Sequence, residues 1–181
     1  MIVNSLPIEG LFELQAEPFV DTRGSFARIF CADELKKTGL VKNISQINIS
    51  KTVQVGAVRG MHYQLPPYME AKIVRCLRGS VFDVAVDLRR ESHTFLKWYG
   101  QILDSTNMKA MLIPEGFAHG FQVLEADSEL LYFHTENYNK KAESAIRYDD
   151  PMIGIEWPLT VTDLSERDRN HLLLAANFTG V

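Results

Sequence analysis

The stretch Asp83-Val84-Ala85-Val86-Asp87-Leu88-Arg89 decides the fold class. Val84, Val86 and Leu88 alternate with Asp83, Ala85 and Asp87, and a period of two is the signature of a half-buried strand. The same reading recurs on either side of it. Ala71 to Leu77, Phe95 to Leu103, Lys109 to Ile113, Phe117 to Leu124 and Glu129 to Thr135 all read as strands. Ile47 and Ile49 alternate with Gln46, Asn48 and Ser50, so that segment carries one uniformly polar face. Turn sequences punctuate the series at Arg78-Gly79-Ser80, Asp104-Ser105-Thr106-Asn107 and Pro114-Glu115-Gly116. Helical periodicity is scarce. Cys31 to Lys37 predicts a short helix stopped by Gly39, and Ser165-Glu166-Arg167-Asp168 has the form of a capping sequence that starts a second. Many short strands with regular turns, without a repeat or a low-complexity segment, predict one all-β domain over residues 1–181. Its expected architecture is a jelly-roll barrel with a few short peripheral helices.

Bulk properties narrow the function. A formal net charge of −4 argues against a general nucleic-acid binder. No apolar stretch approaches the ~20 residues of a membrane span, so no membrane partner is expected. Met1-Ile2-Val3-Asn4-Ser5 lacks the basic and apolar pattern of a secretory leader, and the expectation is a cytoplasmic protein. Cys31 and Cys76 sit in apolar surroundings without metal-like spacing and are predicted to be buried free thiols.

The chemistry concentrates in Arg59-Gly60-Met61-His62-Tyr63-Gln64-Leu65-Pro66-Pro67 and the Glu70-Ala71-Lys72 that follows. An imidazole and an ammonium stand ten residues apart on segments that read as adjacent strands. A neutral His removes protons near pH 7, and a nearby Lys stabilises the negative charge left behind, which suggests enolate chemistry more than hydrolysis. Pro114-Glu115-Gly116-Phe117-Ala118-His119 has the P-x-G-x-x-H form of a cupin turn and strand. Metal-binding cupins pair it with an earlier H-x-H, and here that earlier motif is His62-Tyr63-Gln64, one His short. His62, Glu70 and His119 fit a metal's spacing poorly, so no metal is expected. Nucleophile elbows and phosphate-binding glycine loops are lacking from the sequence.

The chain resembles the dTDP-4-dehydrorhamnose 3,5-epimerase family, sugar epimerases of the cupin superfamily that need no cofactor. The resemblance runs from Phe19-Val20-Asp21-Thr22-Arg23-Gly24-Ser25-Phe26 through Val58 to Gln64, Lys72 to Cys76, Asp83 to Arg89 and Pro114 to Phe121, and ends in Ile155-Glu156-Trp157-Pro158 and Leu164 to Asp168. It implies a cupin-type barrel acting on a nucleotide-sugar substrate, as a homodimer with an N-terminal strand exchanged between subunits. Residue by residue, His62 matches the general base, Asp168 the carboxylate that orients it, Lys72 the cation on the enolate oxygen and Tyr132 the acid that reprotonates the opposite ring face. Arg23, Phe26, Gln46, Asn48, Arg59, His119 and Tyr138 match positions around the nucleotide or hexose. Several of these residues also have plain structural readings. Asp168 suits a helix start, Tyr132 a core aromatic, His119 a hydrogen-bonded barrel histidine, and Arg23 a local ion pair with Asp21.

Two departures from the family pattern stand out. Phe133-His134 follows Tyr132 where many members carry Lys, and Glu70-Ala71 precedes Lys72 where many have Gln-Gly or a similar pair. On a strand, His134 shares a face with Tyr132. These departures leave open a C3-only epimerase or one for another nucleotide or deoxysugar; the rival outside enzymes is a non-catalytic cupin that binds nucleotide sugars, against which His62, Lys72, Tyr132 and Asp168 together argue.

Overall fold

The computed structural model of the chain describes residues 1–41 and 43–181. Its first strands are β1 (Ile2–Ser5), β2 (Phe12–Gln15), β3 (Phe19–Asp21), β4 (Gly24–Phe26), β5 (Gln46–Thr52), β6 (Val58–Gln64) and β7 (Lys72–Arg78). There follow β8 (Ser80–Asp87), β9 (Trp98–Asp104), β10 (Lys109–Ile113), β11 (Phe117–Val123), β12 (Ser128–His134) and β13 (Glu143–Ala145). Two short helices, α1 (Ala32–Leu35) and α2 (Glu166–Arg169), lie at the periphery. A six-stranded sheet, β1-β2-β10-β7-β12-β5, faces a five-stranded one, β13-β6-β11-β8-β9, and β3 with β4 forms a separate hairpin. The result is the all-β, cupin-like jelly roll that the alternating pattern predicts.

Period-two alternation sends each strand's side chains to two destinations. Inward-facing Val74, Met111, Ile113, Leu130, Ala85, Phe117 and Phe121 fill the space between the sheets. Outward-facing residues of the six-stranded sheet, Leu14, Ile73, Leu112 and Phe133, are covered by Leu35 of α1 and by Phe30, whose ring stacks on Phe133 at 5.5 Å. Val84, Val86 and Leu88 point out of the five-stranded sheet, yet they are fully buried against Ile146, Ile155, Trp157 and Leu174. The half-buried strand expected over 83–88 is therefore buried on both faces, because the C-terminal segment wraps its outer side. Two carboxylates on its inner side take internal partners: Asp83 receives His119 on Oδ1, with Oδ2 left buried and unpartnered among the described residues, and Asp87 receives Arg89, Ser92 and Thr94.

Other expectations shift by small amounts. The strand expected from Phe95 begins at Trp98, since residues 92–97 make tight turns with Leu96 at φ 60°. The helix from Cys31 shrinks to α1 followed by a 3-10 turn at Lys36–Thr38, ended by Gly39 at φ 71°. Cys31 is half-buried rather than buried, while Cys76 is buried and its thiol is pushed up to about 11 by that burial. The strands carrying His62 and Lys72 are not adjacent: β6 belongs to the five-stranded sheet and β7 to the other. The chain between them crosses the barrel mouth, so the two side chains approach one space from opposite walls.

Candidate active site

A cavity of about 280 Å³ opens between the sheets at this end of the barrel. The polar face of β5 forms part of its wall through Asn48 and Ser50, while Ile47 and Ile49 on the other face are largely exposed, Ile49 reaching the cavity's rim. His62, Lys72, Tyr132, Arg59, Asn48, His119 and Tyr138 line the same cavity. Gln46 stands at its edge and accepts the Tyr138 backbone N–H at 2.9 Å. Arg23 and Phe26 stay outside it in this chain, on the β3–β4 hairpin, where Arg23 pairs with Asp21 at 2.6 Å.

His62 and Asp168 are brought together from residues 106 apart in the chain, with Nε2 to Oδ1 at 2.7 Å. The capping sequence makes this contact possible. The Ser165 hydroxyl accepts the Asp168 backbone N–H at 3.0 Å, starting α2 and turning the Asp168 side chain inward, where it is 2% exposed. Burial alone would raise the Asp168 pKa, but the His62 hydrogen bond and charge, the Gly60 N–H and Arg167 outweigh it and hold the carboxyl below its usual range. An ionised carboxylate only accepts hydrogen bonds, so the 2.7 Å contact puts the ring proton on Nε2 and leaves Nδ1 as the basic nitrogen, with Arg167 Nη2, 3.1 Å from Nε2, then a neighbouring charge and not a donor to it. The helix-start reading and the orienting reading of Asp168 thus coexist in one residue.

Gly60 makes room for this arrangement. It sits at φ 142°, and a β-carbon there would lie 2.5 Å from the Gly120 α-carbon on β11. The close approach keeps β6 and β11 in contact at a register shift and lets Gly60 N–H point at Asp168 Oδ2, 3.4 Å away.

Across the cavity, β7 and β12 pair so that Lys72 lies opposite His134 and Val74 opposite Tyr132. Tyr132 is half-buried, with its phenol end enclosed. Burial pushes that phenol well above its ordinary pKa and the Asp83 charge adds to the effect, while nearby Ser50 and Arg59 oppose it more weakly. It therefore remains a neutral proton donor across the physiological range. Its ring meets His119 edge-on at 6.0 Å and stacks on His134 at 5.8 Å with a 14° interplanar angle.

Asp83 and Arg167 are not singled out in the sequence, and Glu70 is marked there only as a poorly spaced metal ligand and a departure from the family pattern. Asp83 holds His119 Nε2 at 2.7 Å, with both residues buried. Arg167 bonds both Glu143 oxygens at 2.9 Å and brings Nη2 to 3.1 Å from His62 Nε2. Glu70 bridges Lys72 Nζ at 2.9 Å and His134 Nδ1 at 2.7 Å. The inward parity of Asp83 on its strand, and the place of Arg167 beside Asp168, are the signals that could have marked the first two. His62, Glu70 and His119 all line the cavity, with Glu70 bonded to Lys72 and His134 and His119 bonded to Asp83. Among the described residues the set with cation-like spacing is His62, Asp168 and His171, with ligand atoms within 4.8 Å of one another. The Arg167 guanidinium already sets a positive charge beside it.

With a His–carboxylate pair, a buried ammonium and a neutral phenol around one cavity, comparison with known proteins is decisive. The sequence model of the dTDP-4-dehydrorhamnose 3,5-epimerase family matches residues 5–176. The chain belongs to this family. It is an isomerase of the epimerase type, built on the family's fold. A 3,5-epimerase of this name from Shigella flexneri is 42% identical over 94% of this chain and 93% of its own. A dTDP-4-dehydrorhamnose 3-epimerase from Streptomyces niveus is 38% identical over 97% of this chain and 84% of its own. Among solved structures, the dTDP-6-deoxy-D-glucose-3,5-epimerase of Legionella pneumophila in complex with dTDP-4-keto-L-rhamnose superposes with a TM-score of 0.89 at 38% identity, covering 95% of this chain and 92% of that one. Epimerases of this family act on nucleotide sugars, and a small-molecule substrate of that class suits the cavity. No helix among the described residues is long and apolar enough to cross a membrane.

Proposed function

We propose that this cavity inverts C3 and C5 of a dTDP-4-keto-6-deoxyhexose, in the biosynthesis of a deoxysugar of the dTDP-L-rhamnose type. The observation that carries the reading is an oriented imidazole and an un-ionised phenol on facing walls of one cavity, with the Lys72 ammonium on the strand beside the phenol's. His62 Nδ1 takes the proton on C3, and the C–H electron pair moves into the C4 carbonyl to give an enolate. Lys72 stabilises the charge on that oxygen. Tyr132 then delivers its proton to the opposite face of the same carbon, which inverts it. The imidazolium returns its proton to the phenolate through solvent, and the cycle repeats at C5. The substrate's own ketone acidifies both positions, so the scheme calls on no cofactor.

Arg59, His119, Asn48, Gln46 and Tyr138 are assigned to the sugar nucleotide. Arg suits a diphosphate through its forked donors, and Tyr138, 55% exposed at the mouth, offers a ring to the base. Arg23 and Phe26 are assigned to the partner's site in a homodimer that exchanges its N-terminal segment. Phe19, Val20 and Phe26 are each at least 75% exposed, and Ile47 and Ile49 add an apolar face on β5, surface that a second copy would cover. Two free thiols suit the reducing cytoplasm to which the protein is assigned.

The test is NMR of dTDP-4-keto-6-deoxyglucose incubated with the protein in D₂O. Deuterium at both C3 and C5 is expected. Label at C3 alone would move the assignment to the activity named for the Streptomyces niveus relative, the second reading that a specific observation favours. Crossed hairpins have their own test: Arg23→Ala and His62→Ala subunits, each inactive alone, should regain activity when mixed and reassociated.

A further inference from the structure

Glu70 and His134, the two departures from the family pattern, touch. They lie 64 residues apart in the chain, and the pairing of β7 with β12 sets His134 directly opposite Lys72. Residues paired across strands hold their β-carbons about 5 Å apart, so Lys72 and His134 present neighbouring polar ends to the cavity. Glu70 stands over both, with one oxygen on each. All three side chains are only about a tenth exposed, at 8%, 10% and 11% for Lys72, Glu70 and His134.

One carboxylate with two partners settles the tautomer of His134. Glu70 accepts at both oxygens, so Nδ1 must donate, and the neutral imidazole keeps its lone pair on Nε2. Among the described residues the partner of Nε2 is Asn48 Nδ2 at 3.4 Å, a long contact that leaves the nitrogen able to take a better donor. His134 also lies flat against Tyr132, so Nε2 is presented beside the ring assigned to reprotonation.

We propose that Glu70 is a positioning residue that locks Lys72 and His134 into one unit, and that His134 Nε2 accepts a hydrogen bond from the sugar hydroxyl next to the keto carbon. The inference rests on the epimerase reading for its ligand. A keto oxygen and the hydroxyl on the adjoining carbon are neighbouring atoms of the sugar, as Lys72 and His134 are neighbouring residues of the wall. Lys72 takes the oxygen that becomes the enolate, and His134 takes the hydroxyl on the carbon that loses its proton. Gripping that hydroxyl fixes which way the C3–H bond points and therefore whether it meets His62. The unit thus selects nucleotide sugars that carry a hydroxyl α to the ketone.

Two measurements test it. The first needs no substrate: ¹⁵N-resolved NMR of the histidines should show His134 protonated at Nδ1 and bare at Nε2, and Glu70→Gln should disturb that preference. A His134 protonated only at Nε2 overturns the proposal, whatever the protein's activity proves to be. The second is the C3 deuterium-exchange rate of His134→Leu, which keeps bulk and removes the acceptor, beside the affinity for dTDP alone. Loss of one net hydrogen bond should slow C3 exchange by about three- to tenfold at sub-saturating substrate, leave dTDP affinity within about twofold, and be partly restored in His134→Gln. Unchanged C3 exchange, or a parallel loss of dTDP affinity, refutes the role. A wild-type protein that exchanges neither carbon would instead refute the epimerase reading, with the tautomer result still deciding the Glu70–His134 unit.

Discussion

Asp168→Asn is the substitution that most directly tests how this cavity makes a base. Asp168 is almost wholly buried and receives His62 Nε2 on one oxygen and the Gly60 N–H on the other. An amide has only one accepting end. With its carbonyl toward His62, its NH₂ would confront the Gly60 N–H, donor against donor. Turned over, its carbonyl accepts from Gly60 and its NH₂ donates to His62 Nε2, satisfying both contacts. That second arrangement moves the imidazole proton to Nδ1, the nitrogen that has to be bare. Loss of the charge-assisted hydrogen bond alone is worth about 1.5–3 kcal/mol, or about 10- to 150-fold in rate at ~1.36 kcal/mol per decade. A trapped wrong tautomer can cost as much as about 10⁴. The expected loss is therefore about 10² to 10⁴ in the rate of deuterium exchange at C3, followed by NMR in D₂O, with far-UV circular dichroism unchanged because Ser165 still caps α2. Exchange within about threefold of wild type in a folded variant would refute the orienting role.

Three further outcomes follow from other parts of the site. Tyr132→Phe should still exchange C–H protons through His62 but lose inversion by about 10²-fold or more, so deuterium should return on the face it left from; product NMR checks this, and unimpaired inversion would remove Tyr132 from its role. Glu70 carries a pH-dependent stability. Burial would raise its pKa, but Lys72 and His134 lower it from 4.5 to about 2. A depressed folded value means stability that is present above about 4.5 and lost as pH falls toward about 2, worth about 3 kcal/mol in all. Melting temperature measured from pH 6 to 2 should therefore fall less steeply in Glu70→Gln than in wild type, and parallel curves would contradict the pairing. Gly60→Ala places a β-carbon against Gly120 at a φ that L-residues avoid. It should destabilise by about 3 kcal/mol in thermal or urea unfolding and reduce activity by shifting the Gly60 N–H off Asp168.

How much of this was legible before the structure depends on the range of the interaction involved. Period-two alternation is local, so the strands over 72–78, 109–113 and 117–123 fall within a residue or so of where the pattern puts them. What covers a strand is not local, and β8 reads as half-buried only because the C-terminal segment that buries Val84 and Val86 lies more than sixty residues further along. The same limit applies to the site. His62 and Lys72 are near in sequence, but their meeting depends on a crossing between sheets rather than on adjacent strands. Asp83 looks like the polar half of an alternating strand until β11 places His119 against it. Arg23 and Phe26 fit their assigned role only through a second copy of the chain, so no reading of one copy brings them to the cavity. Glu70 and His134 are the most instructive. Each is visible alone as an odd residue beside a motif, and neither has an evident purpose. Only the register that sets His134 opposite Lys72 joins them, and once joined they are a single change: a carboxylate beside Lys72 needs a second donor to fill its other oxygen, and an imidazole at 134 needs an anion to fix its tautomer. If that reciprocity holds, replacing both residues should damage the protein less than the sum of the single replacements, and a double-mutant cycle on melting temperature would measure the coupling directly.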